Sequence, residues 1–334
     1  MEVLRNSLEK WYLDNHRKLP WRETKDPYKI WLSEIILQQT RVEQGLPYYQ
    51  SFVSNYPTVK DLAMANDDDV MKLWEGLGYY SRARNLLAAS REVINDLDGH
   101  FPTSYKNIIQ LKGIGPYTAA AIASFAFNET VAVVDGNVYR VLSRLFNDAT
   151  AIDSNQGKKN FQILADEFLN PTKPATHNQA MMELGAMICT PKNPKCEECP
   201  LNESCQIAYT EEWKVLPFKE KKVKVEKLFL SFQVVINDQN QILIEKRTEK
   251  GIWQNLYQFP LLEDKKNIVE PNDFSHSSME YKHLLSHRKI QAQFFFLDHL
   301  ETKSGIWVNV KDLEKYAFPK LIVNFLNDQN WFQA

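Results

Sequence analysis

The stretch LKGIGPYTAAAIASFAF, residues 111–127, is a turn that runs at once into a helix. Gly113 and Gly115 stand two apart, and Pro116 follows at the first helical position, where a missing N–H costs nothing. Two readings are open. The turn can simply join two packed helices. It can also bind phosphate, because its glycines leave backbone N–H groups free at the positive end of a helix dipole. A second stretch, VAVVDGNVYRVL (131–142), sharpens the choice. Asp135 ends an apolar run and begins a helix whose Val138, Val141, Leu142 and Leu145 repeat with the 3.6-residue period. Aspartate caps helices well; at the mouth of a cleft it is also a carboxylate available for chemistry.

Working outward, the pattern up to about residue 210 is helical. In DPYKIWLSEIILQQTR, Asp26 is set to cap, Pro27 to start, and Ile30, Trp31, Ile35 and Ile36 to be buried. A lysine-rich stretch, PFKEKKVKVEK (217–227), reads as a solvated linker. Beyond it the period changes to two. LFLSFQVVIN and QILIEKR flank DQN as a β-hairpin, QAQFFFLDHL is a further strand, and FPKLIVNFL a closing helix. The expected fold is multidomain: an all-α domain followed by a smaller α+β domain.

The 334 residues are 44% hydrophobic and 25% charged, an ordinary globular balance. No apolar run approaches the ~18–20 residues that span a bilayer, and the opening MEVLRNSLEKWY is charged and amphipathic rather than signal-like. No membrane association is expected. The formal charge is −2, and residues 1–225 carry 27 Lys+Arg against 28 Asp+Glu. A basic nucleic-acid footprint is therefore missing; contact with DNA would rest on local charge, backbone amides and inserted side chains.

All four cysteines fall within CTPKNPKCEECPLNESC (189–205), spaced C-x6-C-x2-C-x5-C. Disulfides suit small secreted domains, whereas this chain has no cysteine elsewhere. Cys189, Cys196, Cys199 and Cys205 read as ligands of one metal centre. Zinc favours paired short spacings and iron–sulfur clusters also take four thiolates, so spacing alone leaves both open.

L-x-G-I-G-x-x-T-A followed by V-D-G-N-V-x-R-V resembles the helix–hairpin–helix, Gly/Pro-Asp superfamily of DNA glycosylases, in which such a cysteine run ligates a [4Fe–4S] cluster. That resemblance implies a cluster held by the four cysteines, with Lys192 and Lys195 facing DNA phosphate, and a phosphate contact at Gly113 and Gly115. Endonuclease-III-like members carry a Schiff-base lysine two residues after the second hairpin glycine; Tyr117 stands there instead, and Lys112 precedes the first glycine. An enzyme without that amine is expected to release a base and stop.

LPWR (19–22), DPYKIWLSEIILQQTRV (26–42), LWEGLGYYSRARNL (73–86) and NQAMMELGAMIC (178–189) resemble the MutY-type adenine DNA glycosylases. The resemblance implies hydrolysis of the N-glycosidic bond of adenine opposite 8-oxoguanine or guanine. Glu34 corresponds to the general acid and Asp135 to the carboxylate that stabilises the sugar cation, with Tyr117 and Asn137 beside them. Gln39 and Tyr79 correspond to wedges in the base stack, Thr40 and Leu77 lie alongside, and Gln179, Trp21 and Arg22 line the adenine pocket. The apolar neighbours of Glu34 should raise its pKa, and the helix start at Asp135 should keep that carboxylate ionised.

The implied domains are 1–215 (helix–hairpin–helix about 108–127, iron–sulfur loop 189–205), a linker 216–227, and a Nudix-like 8-oxoguanine recognition domain 228–334. GIWQNLYQFP (251–260) and YKHLLSH (281–287) carry the latter resemblance; no acid-rich Nudix box is present, so pyrophosphohydrolase activity is not expected. The family's F-S-H loop becomes Leu285, Ser286 and His287, leaving serine and histidine as donors, while the literal F-S-H at Phe274–His276 is read as a decoy. The implied partner is double-stranded DNA, bound by a monomer in a bacterial, nucleoid-associated cytoplasmic setting. A related mismatch glycosylase/lyase and a catalytically silent mismatch binder are the alternatives.

Overall fold

The computed structural model describes residues 1–221, 225–262, 279–285, 287–298, 300 and 305–332. Ser286 and the Phe274–His276 triplet lie outside the described residues. The chain groups into two compact units, Met1–Ala63 with Ala88–Lys222, and Met64–Leu87 with Val223–Ala334. None of the described helices is long and apolar enough to cross a membrane.

In chain order the helices are α1 (Glu2–Asn15), α2 (Pro27–Leu37), α3 (Val42–Asn55), α4 (Val59–Ala63), α5 (Asp67–Leu73), α6 (Ser81–Asp96), α7 (Tyr105–Ile108), α8 (Pro116–Phe127), α9 (Gly136–Leu145), α10 (Asn155–Phe168) and α11 (Pro174–Met187). The core of the first unit joins Leu8 and Tyr12 of α1 to Val138 and Leu142 of α9, Phe161 and Phe168 of α10, and Leu184 of α11. Asp26 caps α2 as expected, Oδ1 accepting from Tyr28 N at 3.0 Å. The hairpin is α7, a turn, and α8. Gly113 has φ +78°, a left-handed conformation that only glycine takes without strain. Asn128 closes α8 at φ +56°.

In the second unit, β1 (Glu226–Val235) pairs parallel with β5 (Arg288–Leu297), and β4 (Met279–Leu284) pairs antiparallel with the other edge of β5. A second sheet places β2 (Gln241–Lys246) between β3 (Tyr257–Gln258) and β6 (Ile306–Asn309). The expected β1–β2 hairpin is thus corrected. Its turn exists, with Asn237 N donating to Gln241 O at 2.9 Å, but only the isolated bridge Ile236–Ile242 pairs the two segments, and the strands enter different sheets. The closing helix α12 (Lys320–Asp328) stacks Phe325 on Phe294 of β5, with centroids 3.9 Å apart.

Met64–Leu87, which the sequence reading assigns to the helical domain, groups with the C-terminal residues. Its ties are polar and specific. Asp68 takes Lys246 and the Tyr257 hydroxyl, Glu75 Oε1 accepts from Phe318 N at 2.8 Å, and Arg84 Nη1 donates to Gln254 O at 2.7 Å.

Candidate active site

Helix α2 is apolar on nearly every face and buries Tyr28 and the whole of Ile30–Ile36. Glu34 goes in with them and is 6% exposed. A carboxyl so placed prefers its neutral form. Burial raises its pKa to about 7, helped by the Asp135 charge and opposed by the Tyr117 hydrogen bond and by Arg22. The Tyr117 hydroxyl, in the first turn of α8, donates to Glu34 Oε2. Burial and the two carboxylates together push the phenol well above its usual value, so it stays a donor.

Asp135 is a helix cap and a cavity carboxylate at once. Oδ1 accepts from Asn137 N (2.9 Å) and Val138 N (2.8 Å), and Oδ2 accepts from Asn137 Nδ2 (2.7 Å). Burial raises its pKa, which the sequence reading leaves out of account; the N–H donors and Arg140 act in the opposite sense. Arg140 continues the chain of bonds, donating through Nη2 to Asn137 Oδ1 at 2.8 Å. A buried and a half-buried carboxyl therefore face one cavity in unlike surroundings: one touches a phenol, the other is ringed by N–H donors.

The cavity measures about 470 Å³, and Trp21, Arg22, Thr40, Asn137 and Gln179 also line it. Trp21 packs edge-on against Tyr49, with centroids 5.0 Å apart. The Tyr12 hydroxyl donates to Gln179 Oε1 at 2.5 Å. Gln39 is not among the lining residues: α2 ends at Leu37, and the exposed Gln39 follows at φ +59°. Lys112 is exposed on the turn, with its backbone N–H bonded to Glu92. Sequence reasoning overlooks Arg17, Tyr12, Arg140 and Glu183. Of these, Arg140 is the arginine of V-D-G-N-V-x-R-V and Glu183 stands one helical turn after Gln179 on α11, while Tyr12 and Arg17 carry no readable signal.

Leu77 and Tyr79 belong to the second unit, as does His287. The three line a cavity of about 600 Å³ with Arg84, Trp253 and Leu285. The loop holding Tyr79 is built for an unusual shape, with φ +93° at Gly76, +70° at Gly78 and +47° at Tyr79. Such a φ on a residue with a Cβ costs about 1–2 kcal/mol. Arg82 braces the loop: its guanidinium lies 5.0 Å from the Trp74 ring and 5.8 Å from that of Tyr79, and Nη2 donates to Leu77 O and Gly78 O, both at 3.3 Å.

The four cysteines are free thiols that line one shared cavity. Burial, then the neighbouring thiols, pushes Cys199 up to about 12, a penalty that a cationic iron–sulfur core removes. Four thiols around one cavity match the four thiolates that hold an iron–sulfur cluster. The residues fit the cluster. Arg144 Nη1 donates to Cys189 Sγ at 3.4 Å, and Arg140 Nε to Cys189 O at 2.6 Å. Lys192 and Lys195 are exposed on the loop.

Residues 32–167 match the HhH-GPD superfamily of base excision DNA repair proteins, 189–205 the iron–sulfur binding domain of endonuclease III, and 232–328 the NUDIX domain. With the hairpin, the cavity carboxyls and the cysteine loop, these define a helix–hairpin–helix base-excision glycosylase carrying a [4Fe–4S] cluster and a Nudix-like C-terminal domain. Among relatives, the adenine DNA glycosylase of Buchnera aphidicola subsp. Schizaphis graminum is 36% identical over 95% of both chains. That of Homo sapiens is 42% identical over 61% of this chain and 39% of its own. Among solved structures, a thermostable thymine-DNA glycosylase superposes with a TM-score of 0.57 at 32% identity, covering 61% of this chain and 94% of its own. An endonuclease III trapped covalently on DNA shares the fold, with a TM-score of 0.53 at 20% identity over 61% of this chain and 93% of its own. The chain belongs to the adenine DNA glycosylase family, enzymes of base-excision repair.

Proposed function

We propose that the protein binds double-stranded DNA, hydrolyses the N-glycosidic bond of adenine opposite 8-oxoguanine or guanine, and leaves the strand intact. One observation carries the reading: Glu34, buried and shifted to about 7, shares a cavity with Asp135. Adenine leaves its sugar as a poor anion while an oxocarbenium develops. The protonated Glu34 can give its proton to the ring at N7 as the C1′–N9 bond breaks, and the Asp135 carboxylate can face the developing cation. A water that adds at C1′ and yields its proton to the ionised Glu34 would complete the hydrolysis. The Tyr117 hydroxyl holds the acid in place from the position where an amine would be needed for imine chemistry. Trp21, Arg22 and Gln179 would bind the extruded base. Gln39 and Tyr79, both left-handed, would fill the space it leaves, offsetting a few kcal/mol of unstacking. Gly113, Gly115 and the α8 N-terminus would take phosphate. A cluster bound by Cys189, Cys196, Cys199 and Cys205 would cross-link their loop. Ser286 and His287 would read 8-oxoguanine.

The test is single-turnover base release from duplexes containing adenine opposite 8-oxoguanine, adenine opposite guanine, and thymine opposite guanine, with borohydride present in a parallel set. Adenine release without a trapped adduct is expected, faster opposite 8-oxoguanine. Thymine release instead would favour a mismatch glycosylase, an adduct would favour a lyase, and binding without release a silent binder.

A further inference from the structure

Glu183 sits on α11 with no exposed surface and accepts five hydrogen bonds. Three come from Arg17: its backbone N–H and Nε to Oε1, both at 2.9 Å, and Nη2 to Oε2 at 2.7 Å. Two come from Arg22, Nη1 to Oε1 at 2.9 Å and Nη2 to Oε2 at 2.7 Å. Arg22 Nη1 also donates to Arg17 O at 3.0 Å. The segment between α1 and α2, which carries Trp21 and Arg22, is thus tied to the helix that carries Gln179. Burial alone pushes the Glu183 carboxyl up, but the bonds from Arg17 and Arg22 outweigh it and hold it at about 2. It is ionised at every working pH, so it serves as neither acid nor base.

We propose that Glu183 is a positioning residue for base release: it fixes Arg17 and Arg22 as one wall of the Glu34 cavity and offsets their two positive charges there. The inference rests on the reading of Glu34 as the acid. Charge in this cavity is closely balanced. Its guanidiniums belong to Arg17, Arg22, Arg41 and Arg140. Its carboxyls besides Glu34 are Glu43, Asp135 and Glu183, and the Tyr117 phenol completes the titratable set. Arg22 already draws Glu34 downward. Without Glu183, the two guanidiniums would lose the carboxylate they share, leaving Arg17 the charge of Glu43 alone, and the excess positive charge would favour the ionised form of Glu34. An ionised Glu34 has no proton to give.

The experiment is the pH profile of single-turnover adenine release by the cluster-loaded full chain, for wild type and for E183Q, E183D, R17M and E34Q. Wild-type release should fall as pH rises through about 7, where Glu34 loses its proton. In E183Q this alkaline limb should move to lower pH by on the order of one unit, and the plateau should drop by up to about a hundredfold as the wall shifts. E183D keeps the charge, so its limb should stay in place even if its plateau falls. R17M removes a cation, so its limb should move to higher pH, by less than in E183Q because the Arg17 side chain is 33% exposed. Opposite displacements cannot arise from general loosening of the fold. Limbs of E183Q and R17M that both coincide with wild type would overturn the proposal. Should E183Q fail to fold, the direction of the R17M limb decides alone. Active E34Q would instead sink the assignment of the acid, a failure distinct from this one.

Discussion

Glu34 and Asp135 share a cavity and a burial penalty, and what separates them is the company each oxygen keeps. Glu34 meets a phenol and hydrocarbon; Asp135 meets three N–H groups that only lone pairs can satisfy. E34Q keeps the size and hydrogen bonding of the acid but has no transferable proton. Adenine release should fall by at least ~10²–10⁴-fold, the usual worth of a general acid, while mismatch binding persists; single-turnover rates within a few-fold of wild type would refute the role. The same group makes stability depend on pH. Its folded pKa lies above its unfolded one, so its contribution is complete below about 4.5, declines as pH rises, and is lost beyond about 7. At higher pH, E34Q should therefore be more stable than wild type, by up to about 3 kcal/mol, as denaturant melts above and below this window would reveal. Ile30, Trp31, Ile35 and Ile36 make the burial of Glu34 readable from sequence, because they surround it on every face of α2. The Tyr117 bond and the Glu183 clamp were not readable. They join residues 83 and more than 160 positions apart, and only tertiary packing brings those together.

Between elements, the position of Asn137 depends on a glycine. A Cβ at Gly185 of α11 would lie 2.6 Å from Asn137 Cβ and 3.0 Å from Asn137 O, so α9 and α11 touch only because that side chain is missing. G185A should force α9 away, at about 1–3 kcal/mol for overpacking, and should carry Asn137 and its bond to Asp135 Oδ2 with it. Release should slow more than melting temperature alone would suggest, by up to about a hundredfold for a displacement near 1 Å; a fully active G185A would show that the contact relaxes without moving Asn137. Helix boundaries were legible because their signals are local: Asp26 and Pro27 at α2, Pro116 at α8, Asp135 at α9. Strand partners were not. The DQN turn was readable, but β1 finds its ladder in β5, about 60 residues on in the chain, and β2 finds β6 at a similar distance. Alternation identifies a strand and its buried face; it carries nothing about which distant strand lies alongside.

For the whole molecule, the chemistry and the recognition proposed above fall in different compact units. Glu34, Asp135 and Tyr117 belong to the first, while Tyr79, Leu77 and His287 line one cavity of the second. Sequence order hides this, since Met64–Leu87 lies inside the helical stretch yet is bound through Asp68, Glu75 and Arg84 to residues beyond 245. If that second cavity reads the base opposite adenine, its loss should alter preference rather than chemistry. Replacing Ser286 and His287 together with alanine should lower the preference for adenine opposite 8-oxoguanine over adenine opposite guanine, by roughly 1–3 kcal/mol for each good hydrogen bond to the base that is removed. The plateau rate on the guanine mismatch should stay near wild type, because Glu34 and Asp135 keep every partner described for them. His287 has the placement for such a hydrogen bond, exposed at the turn between β4 and β5 and lining the cavity with Tyr79. The same double change at Ser275 and His276 is the control and should be nearly silent. If that control erased the preference while the 286/287 variant retained it, the recognition loop would have to be reassigned to 274–276; if both retained it, the opposite base would have to be read elsewhere, with Tyr79 and Arg84 the next residues to test.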